Sequence, residues 1–187
     1  RLDWNVRGYS HGFYQRGQDS AGILLYEQSS QNTIAYNSAT HSGDGLFLWA
    51  GQTTMDTGEG GGNDNLIFGN DFSHAPTNGI EATFSRNIFA DNRVEENWHG
   101  VWGGYSRNLV ILGNRIEGTL GGGVSIEHGQ DCVIADNHFA DNDQAIELWW
   151  DEDPDLVGGP FGAHRDTDSR GHWIVSSYKD VVRIAQD

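Results

Sequence analysis

The chain has 187 residues, one cysteine and a formal net charge of −16 at pH 7, with Lys179 as its only lysine. This length fits one domain with a substantial core, and a single cysteine excludes an internal disulfide framework. No run of about 18 apolar residues is present, so no membrane span is expected. The negative charge disfavours nucleic acid as a partner, because its binding requires cations that neutralise phosphate.

The same charge bears on the class of glycan that the protein could bind. Acidic polysaccharides would be repelled unless Ca²⁺ bridged the carboxylates of protein and polymer. Neutral glycans, or cations, are easier partners for this surface. The alternative is that the acidity serves solubility or a salty habitat and has no part in binding.

The sequence begins with RLDWN at Arg1, which looks like the middle of a repeat. It has neither an initiator methionine nor a charged-then-apolar secretory leader. We therefore expect a mature or excised piece of a longer protein, with further domains in the rest of that chain.

Two patterns recur from residue 22 onward. In the first, an apolar residue precedes an asparagine by three positions, at Asn37, Asn70, Asn92, Asn114 and Asn137. In the second, a small residue is followed by apolar-x-apolar, at Gly22, Gly45, Gly79, Gly100, Gly123 and Ala145. The asparagines lie 33, 22, 22 and 23 residues apart, and the second pattern follows each of them by eight or nine positions. Two patterns in one register indicate a repeat of about 22 residues.

Both segments of the repeat alternate apolar and other residues, as strands do, and turn formers separate them. No stretch of ten residues carries a helical stripe. Each strand must then pair with its copy in the next coil, about 4.8 Å along the axis. The prediction is an all-β fold, a right-handed parallel β-helix, in a single domain of residues 1–187 with regular coils at 22–150. A leucine-rich repeat is the alternative, but the position of Leu109 is asparagine in three other coils.

Three features of the predicted coils are expected to be structural. The repeated asparagines are predicted to adopt the left-handed conformation of a sharp corner and to form amide ladders. The repeated glycines are predicted to need a positive φ or a close backbone approach. Cys132 falls in an inward column and is predicted to be a buried apolar residue.

Two insertions interrupt the regular coils. The first, GQTTMDTGEGGG, follows the strand at 45–50, and the second, residues 151–170, follows the strand at 145–150. They leave the same corner four coils apart, so they are expected to stand about 19 Å apart as walls at the two ends of a floor. Simple tolerance of insertions at a surface turn is the alternative. Residues 171–187 are predicted to form a shortened last coil.

Coils such as SSQNTIAYNSATHSGDGLFLW and RNLVILGNRIEGTLGGGVSI resemble the parallel β-helix repeat family. That family includes pectate lyases, polygalacturonases, other β-helix glycosidases, alginate epimerases and periplasmic copper-accessory proteins with NosD-like repeats. The resemblance covers residues 22–150 and implies this architecture. It also implies a polysaccharide or oligosaccharide partner and an extracellular or periplasmic location. The catalytic signature of any one subfamily is missing.

The strand alternation predicts which side chains line the floor. The outward positions carry aromatic rings beside carboxylates, a combination that suits sugars, whose C–H faces stack on rings while their hydroxyls bond to acids. We therefore expect substrate contacts from Trp49, Trp102, Tyr105, His128, Trp149 and Trp150. The alternative is that the loops or another domain bury these rings.

Glycosidic cleavage requires two carboxyl groups, about 5 Å apart for retention and roughly 6.5–9.5 Å for inversion. Glu127 and Glu147 are predicted on adjacent coils, offset by two residues, with Cα atoms roughly 8 Å apart. They are the predicted inverting pair. Glu81 shares the column of Glu147 but lies about 14 Å away, too far for a simple pair, and is a secondary candidate for a catalytic acid. Asp44, His41 and His99 are expected to border the floor as secondary acid–base groups.

Two other functions remain open. A lyase or uronan epimerase would need a cation to neutralise a uronate, and Ca²⁺ could be held by Asp151, Asp153 and Asp155; otherwise no cofactor is expected. Alternatively, the chain could be a passive module for binding, adhesion or spacing within a larger protein.

Overall fold

The computed structural model describes residues 1–7 and 20–176. These residues contain fifteen strands: β1 (Ile23–Tyr26), β2 (Thr33–Ala35), β3 (Leu46–Trp49), β4 (Leu66–Phe68), β5 (Asn78–Ala82), β6 (Ile88–Ala90), β7 (Arg93–Glu95), β8 (His99–Trp102), β9 (Val110–Leu112), β10 (Arg115–Glu117), β11 (Gly122–Glu127), β12 (Val133–Ala135), β13 (His138–Ala140), β14 (Gln144–Trp149) and β15 (Trp173–Val175). They also contain three short helices: α1 (Gly51–Thr57), α2 (Pro154–Val157) and α3 (Pro160–His164).

The strands form three sheets, and every pairing between them is parallel. Sheet 1 has the order β1-β3-β5-β8-β11-β14, sheet 2 has β2-β4-β6-β9-β12-β15, and sheet 3 has β7-β10-β13. Val101 pairs with Val124, and Val124 pairs with Ile146, so these neighbouring coils are 23 and 22 residues long. The predicted right-handed parallel β-helix and its period are confirmed.

The core is a set of apolar columns inside the coils. Ile67, Phe89 and Ile111 pair across sheet 2 and are fully buried, as is Cys132 near the same sheet. The prediction for the cysteine is therefore confirmed, and burial raises the pKa of its thiol to about 12. Stacking identical or similar side chains in this way removes a continuous apolar surface from water.

The asparagine column forms the predicted amide ladder at one corner. Asn70 illustrates it: its backbone N–H and its side-chain Nδ2 both donate to Oδ1 of Asn92, at 3.0 Å each. The left-handed conformation, however, belongs to the residue before each asparagine: Tyr36, Gly69, Asp91, Gly113 and Asp136. The prediction that asparagine itself takes this conformation is wrong, because its amide must point inward to bond to the next coil.

The glycines at the start of the sheet 1 strands are needed for close approach. A Cβ atom at Gly100 would lie 2.4 Å from the carbonyl oxygen of Gly123, and one at Gly45 would lie 2.5 Å from that of Gly79. None of these four glycines has a positive φ. Of the two reasons predicted for this column, the close approach is confirmed.

The two insertions leave the same corner as predicted, but they meet each other. Helix α1 packs against helix α3, and Nε of Arg165 donates to the carbonyl of Gly58. The loops therefore form one continuous wall beside sheet 1, and the prediction of two separate walls is wrong. The predicted distance between the two insertions along the helix axis could not show this contact, because both loops turn toward the coils that lie between them.

The predicted last coil, residues 171–187, begins with β15, which pairs with β12 in sheet 2. Residues 177–187, which the same prediction includes, lie outside the described residues. None of the helices in residues 1–7 and 20–176 has the length and apolar character needed to cross a membrane.

Candidate functional site

The outer face of sheet 1 carries the predicted columns of side chains. Pairing across the sheet aligns one such column: Leu24, Phe47, Glu81, Trp102, Ser125 and Glu147. The residues on either side of it along the strands, such as Val124 and Ile126, are fully buried in the core. The predicted alternation is confirmed, so the column faces outward.

A concave surface of about 440 Å³ lies on this face, and we call it the sheet 1 groove. It is lined by Phe47, Trp49, Glu81, Thr83, Phe84, Trp102 and Tyr105. The ring of Trp102 lies over Gly104, since a Cβ atom there would be 2.5 Å from the ring. Gly104, which the sequence did not single out, therefore lets this indole lie along the floor.

An aromatic ladder forms the wall of the groove. Phe84, Tyr105 and His128 each follow a strand of sheet 1 and have φ angles of 50°, 59° and 49°. This left-handed conformation is costly for bulky residues and is found where the surroundings enforce it. The rings stack with centroids 4.6 and 5.4 Å apart, and Phe161 of α3 closes the end against Phe84 at 4.9 Å.

A cluster of two acids and one histidine lies beside this ladder. Atoms of the Glu127, His128 and Asp151 side chains that could bind a metal or a proton all lie within 4.8 Å of one another. Nε2 of His128 is 3.1 Å from Oδ1 of Asp151, and its Nδ1 is 2.7 Å from the carbonyl of Thr167. His128 thus contacts both ends of the second insertion and holds Asp151 beside Glu127.

The two carboxyl groups of the cluster have different environments. Glu127 is half-buried, and this burial raises its pKa, with a further increase from the charge of Asp151. The Tyr105 hydroxyl, which is within hydrogen-bond reach, lowers the pKa of Glu127. The Asp151 side chain, by contrast, is 57% exposed. A carboxyl group with a raised pKa beside one that is exposed to solvent is a typical acid–base arrangement.

Replacing Asp151 with asparagine is expected to lower the pKa of Glu127, because the nearby negative charge disfavours ionisation of Glu127. Glu127 stays half-buried in the variant, so its pKa should fall but remain above the ordinary value of a glutamate. The titration of the Glu127 carboxyl carbon, followed by ¹³C NMR, measures the change. Asp155→Asn, an exposed acid of the same loop, should leave the midpoint in place. An unchanged midpoint in Asp151→Asn would contradict the coupling.

The predicted catalytic pair of Glu127 and Glu147 is not brought together. Pairing places Glu147 opposite Ser125 and Glu127 opposite Trp149, which confirms the offset of one coil and two residues. However, Oε2 of Glu147 accepts from Oγ of Ser125 at 3.0 Å, whereas Glu127 turns toward Tyr105 and Asp151. The two carboxylates therefore point to opposite ends of the strands.

Comparison with known proteins agrees with this architecture. The chain matches the family described as right-handed beta helix region over residues 21–149. The chain belongs to the right-handed β-helix family. No curated protein and no solved structure matches it.

At the other end of the groove, the β-helix holds a second polar group. Nδ2 of Asn78 donates to Oε2 of Glu81 at 2.6 Å, and Oδ1 of Asn78 is 3.1 Å from Nδ1 of His99. Burial lowers the pKa of His99, and the charge of Glu147 partly offsets this effect. Glu81 and His99, both predicted as secondary groups, thus border the groove through one shared amide, which the sequence did not single out.

The other predicted acid–base residues lie away from the groove of this β-helix. Asp44 is fully buried and accepts from Oγ1 of Thr77 and the N–H of Asn78 in the next coil. It therefore joins two coils, and its prediction as an acid–base group is wrong. His41 stacks against Trp4 and His74 at another corner.

The predicted aromatic contacts have three different outcomes. Trp49, Trp102 and Tyr105 line the sheet 1 groove of the β-helix. Trp149 is the last residue of β14 and Trp150 follows it; Trp150 is 44% exposed with its ring against His128. The His128 side chain is only 1% exposed, so the prediction that it contacts substrate is wrong. The second insertion covers it, which is the alternative stated for these rings.

The residues predicted as calcium ligands are separated in the β-helix. Asp153 caps α2 by accepting from the N–H groups of Asp155 and Leu156. Among the described residues, the group close enough to share an ion combines Asp151 with Glu127 and His128. Calcium prefers oxygen ligands, and an imidazole does not suit it. The contact between His128 and Asp151 accounts for the closeness of these groups without an ion.

Proposed function

We propose that the protein binds a neutral polysaccharide along the sheet 1 groove and hydrolyses its glycosidic bonds. The observation that supports this most is the pair of Glu127 and Asp151 at the edge of an aromatic groove. One of these carboxyl groups is half-buried with a raised pKa, and the other is exposed and bonded to His128. The proposal includes an extracellular or periplasmic location.

The chemistry of the pair follows from its spacing. Carboxyl oxygens of Glu127 and Asp151 lie within 4.8 Å, which is nearer to the roughly 5 Å of retaining glycosidases than to the roughly 6.5–9.5 Å of inverting ones. We therefore propose retention and Asp151 as nucleophile, in place of the inverting pair with Glu147. From the sequence, Asp151 was predicted only as a metal ligand, although its place just after β14 puts it beside Glu127.

The reaction has two steps. In the first, Glu127 donates its proton to the glycosidic oxygen as the bond from this oxygen to C1 breaks, and the Asp151 carboxylate forms a bond to C1. In the second, water attacks C1 and gives a proton to Glu127, and the bond from C1 to Asp151 breaks. His128 acts as a positioning residue, because its ring holds Asp151 and is itself held by Thr167.

Replacing Trp102 with alanine is expected to weaken polysaccharide binding about ten- to hundredfold, since the ring presents a flat apolar face to the sugar. This ring lies over Gly104 on the groove floor. Affinity electrophoresis in gels containing each polysaccharide measures the loss. Trp173→Ala, an exposed tryptophan on the outer face of sheet 2, is the matched control and should bind like the wild type.

A panel of neutral and acidic polysaccharides, incubated with the protein and assayed for new reducing ends, tests the proposal. Release of reducing ends from a neutral polymer, unchanged by EDTA, is the expected result. Binding without release would support a passive binding module instead. Cleavage only of uronate polymers, and only with Ca²⁺, would support the lyase or epimerase alternative.

A further inference from the structure

A cavity of about 170 Å³ lies next to the aromatic ladder, where the two insertions meet the β-helix. Phe84 and Tyr105 line both this cavity and the sheet 1 groove. We call it the arginine cavity, because Arg107, Arg165 and Arg170 also line it. Its volume is below the roughly 300–1,000 Å³ of cavities that hold drug-sized ligands, so it suits a small ligand.

The guanidinium group of Arg165 is placed beside other positive charges. Arg165 follows α3, and its Nε donates to the carbonyl of Gly58 in the first insertion, which holds the side chain in the cavity wall. Burial lowers the pKa of Arg165, and the charge of Arg107 lowers it further. Glu59 acts in the opposite direction, and Arg86 adds to the decrease. Positive neighbours therefore outweigh the negative one at this guanidinium, in a protein whose net charge is −16.

The acids that line the cavity do not neutralise Arg107 and Arg165. The carboxylate of Asp166 accepts from the N–H of Asp168 and from Arg170, so its charge is already paired. Asp131 is exposed to solvent. In residues 1–7 and 20–176, the arginines that form salt bridges are Arg1, Arg86, Arg93, Arg115 and Arg170. Two guanidinium groups thus border one cavity with donors that no described carboxylate takes up.

We propose that the arginine cavity binds a small oxyanion between Arg107 and Arg165. Guanidinium groups present parallel N–H donors that match the oxygens of phosphate, sulfate or a carboxylate. The anion removes the repulsion between the two arginines. It also links three parts of the chain, because Arg165 lies in the second insertion and bonds to Gly58 of the first, whereas Arg107 lies in the coil between β8 and β9. The site is separate from the carboxyl pair and does not depend on hydrolysis.

Calorimetric titration at constant ionic strength tests the site, with phosphate, sulfate and glucuronate as probes and chloride as the background salt. At least one probe should bind with one-to-one stoichiometry and raise the temperature of unfolding. Tighter binding of phosphate or sulfate identifies a free inorganic ion as the ligand, and tighter binding of glucuronate identifies the carboxylate of an acidic sugar. If none of the three binds, the site does not exist. Because no polysaccharide is used, this result is independent of the proposed reaction.

Three substitutions locate the bound anion. Arg107→Gln should weaken binding about ten- to hundredfold, because it removes charge-assisted hydrogen bonds. Its side chain bonds to no described residue, so the unfolding temperature without anion should stay the same. Arg115→Gln removes an equal charge on sheet 3, where this arginine bonds to Glu95, and should bind like the wild type. Glu59→Gln should bind more tightly, since it removes a negative charge near Arg165. Equal affinities in the Arg107 and Arg115 variants would overturn the site.

Discussion

Glu127→Gln is expected to lower kcat for polysaccharide hydrolysis about 10²–10⁴-fold, because glutamine cannot give a proton to the leaving oxygen. The affinity for substrate should change little, since glutamine keeps the size and most of the polar contacts of glutamate. Reducing-end assays give kcat, and calorimetry with a tetrasaccharide gives the affinity. A variant that retains full turnover would exclude Glu127 as the proton donor.

Two other glutamates serve as comparisons for this result. Glu117→Gln changes an acid on sheet 3, where its carboxylate bonds to Arg115, and should leave kcat unchanged. Glu147→Gln changes an acid of the outward column of sheet 1 that bonds to Ser125 and not to the catalytic pair. It should weaken substrate binding more than it lowers kcat. A loss of kcat in Glu147→Gln equal to that in Glu127→Gln would favour the pair predicted from the sequence.

The pairing of the strands was predictable because the repeat fixes it. Once Asn92 and Asn114 lie in one column, every residue between them has a defined partner one coil away. This registry correctly placed Glu81, Trp102 and Glu147 in one outward column. The spacing of Cα atoms on the floor therefore needed no knowledge of side-chain conformation.

The direction of each carboxylate was not predictable from the repeat. Glu147 turns toward Ser125, and Glu127 turns toward Tyr105 and Asp151. These directions depend on partners that lie outside the repeating columns. The predicted offset of one coil and two residues is correct, but this offset alone does not fix where either carboxyl group points.

The path of the insertions could not be predicted from the repeat either, because loops do not keep its register. His128 is covered through its contact with Thr167, which is 39 residues away in the sequence. Phe84 is covered by Phe161 in the same way. The aromatic residues just after the strands could be identified from the sequence, but whether they face solvent or a loop was decided by contacts between distant segments.

Asn92→Ala is expected to lower the free energy of unfolding by about 4 kcal/mol, the largest loss of stability that we predict. The Asn92 side chain is buried and bonds to three neighbours. Its Oδ1 accepts from Asn70, and its Nδ2 donates to the carbonyl of Ile67 and to Oδ1 of Asn114. Alanine leaves the backbone N–H of Asn70 buried without its partner, which is costlier than the loss of the bonds alone.

The end of the ladder provides the matched control for this prediction. Asn37 is half-buried, and its side chain donates to Asn70 and to the carbonyl of Ala35. Asn37→Ala should therefore cost only about 1 kcal/mol, because water can reach the groups that it leaves behind. Urea unfolding followed by tryptophan fluorescence measures both variants. Equal losses at the two positions would mean that the ladder stabilises each coil separately and does not depend on burial between coils.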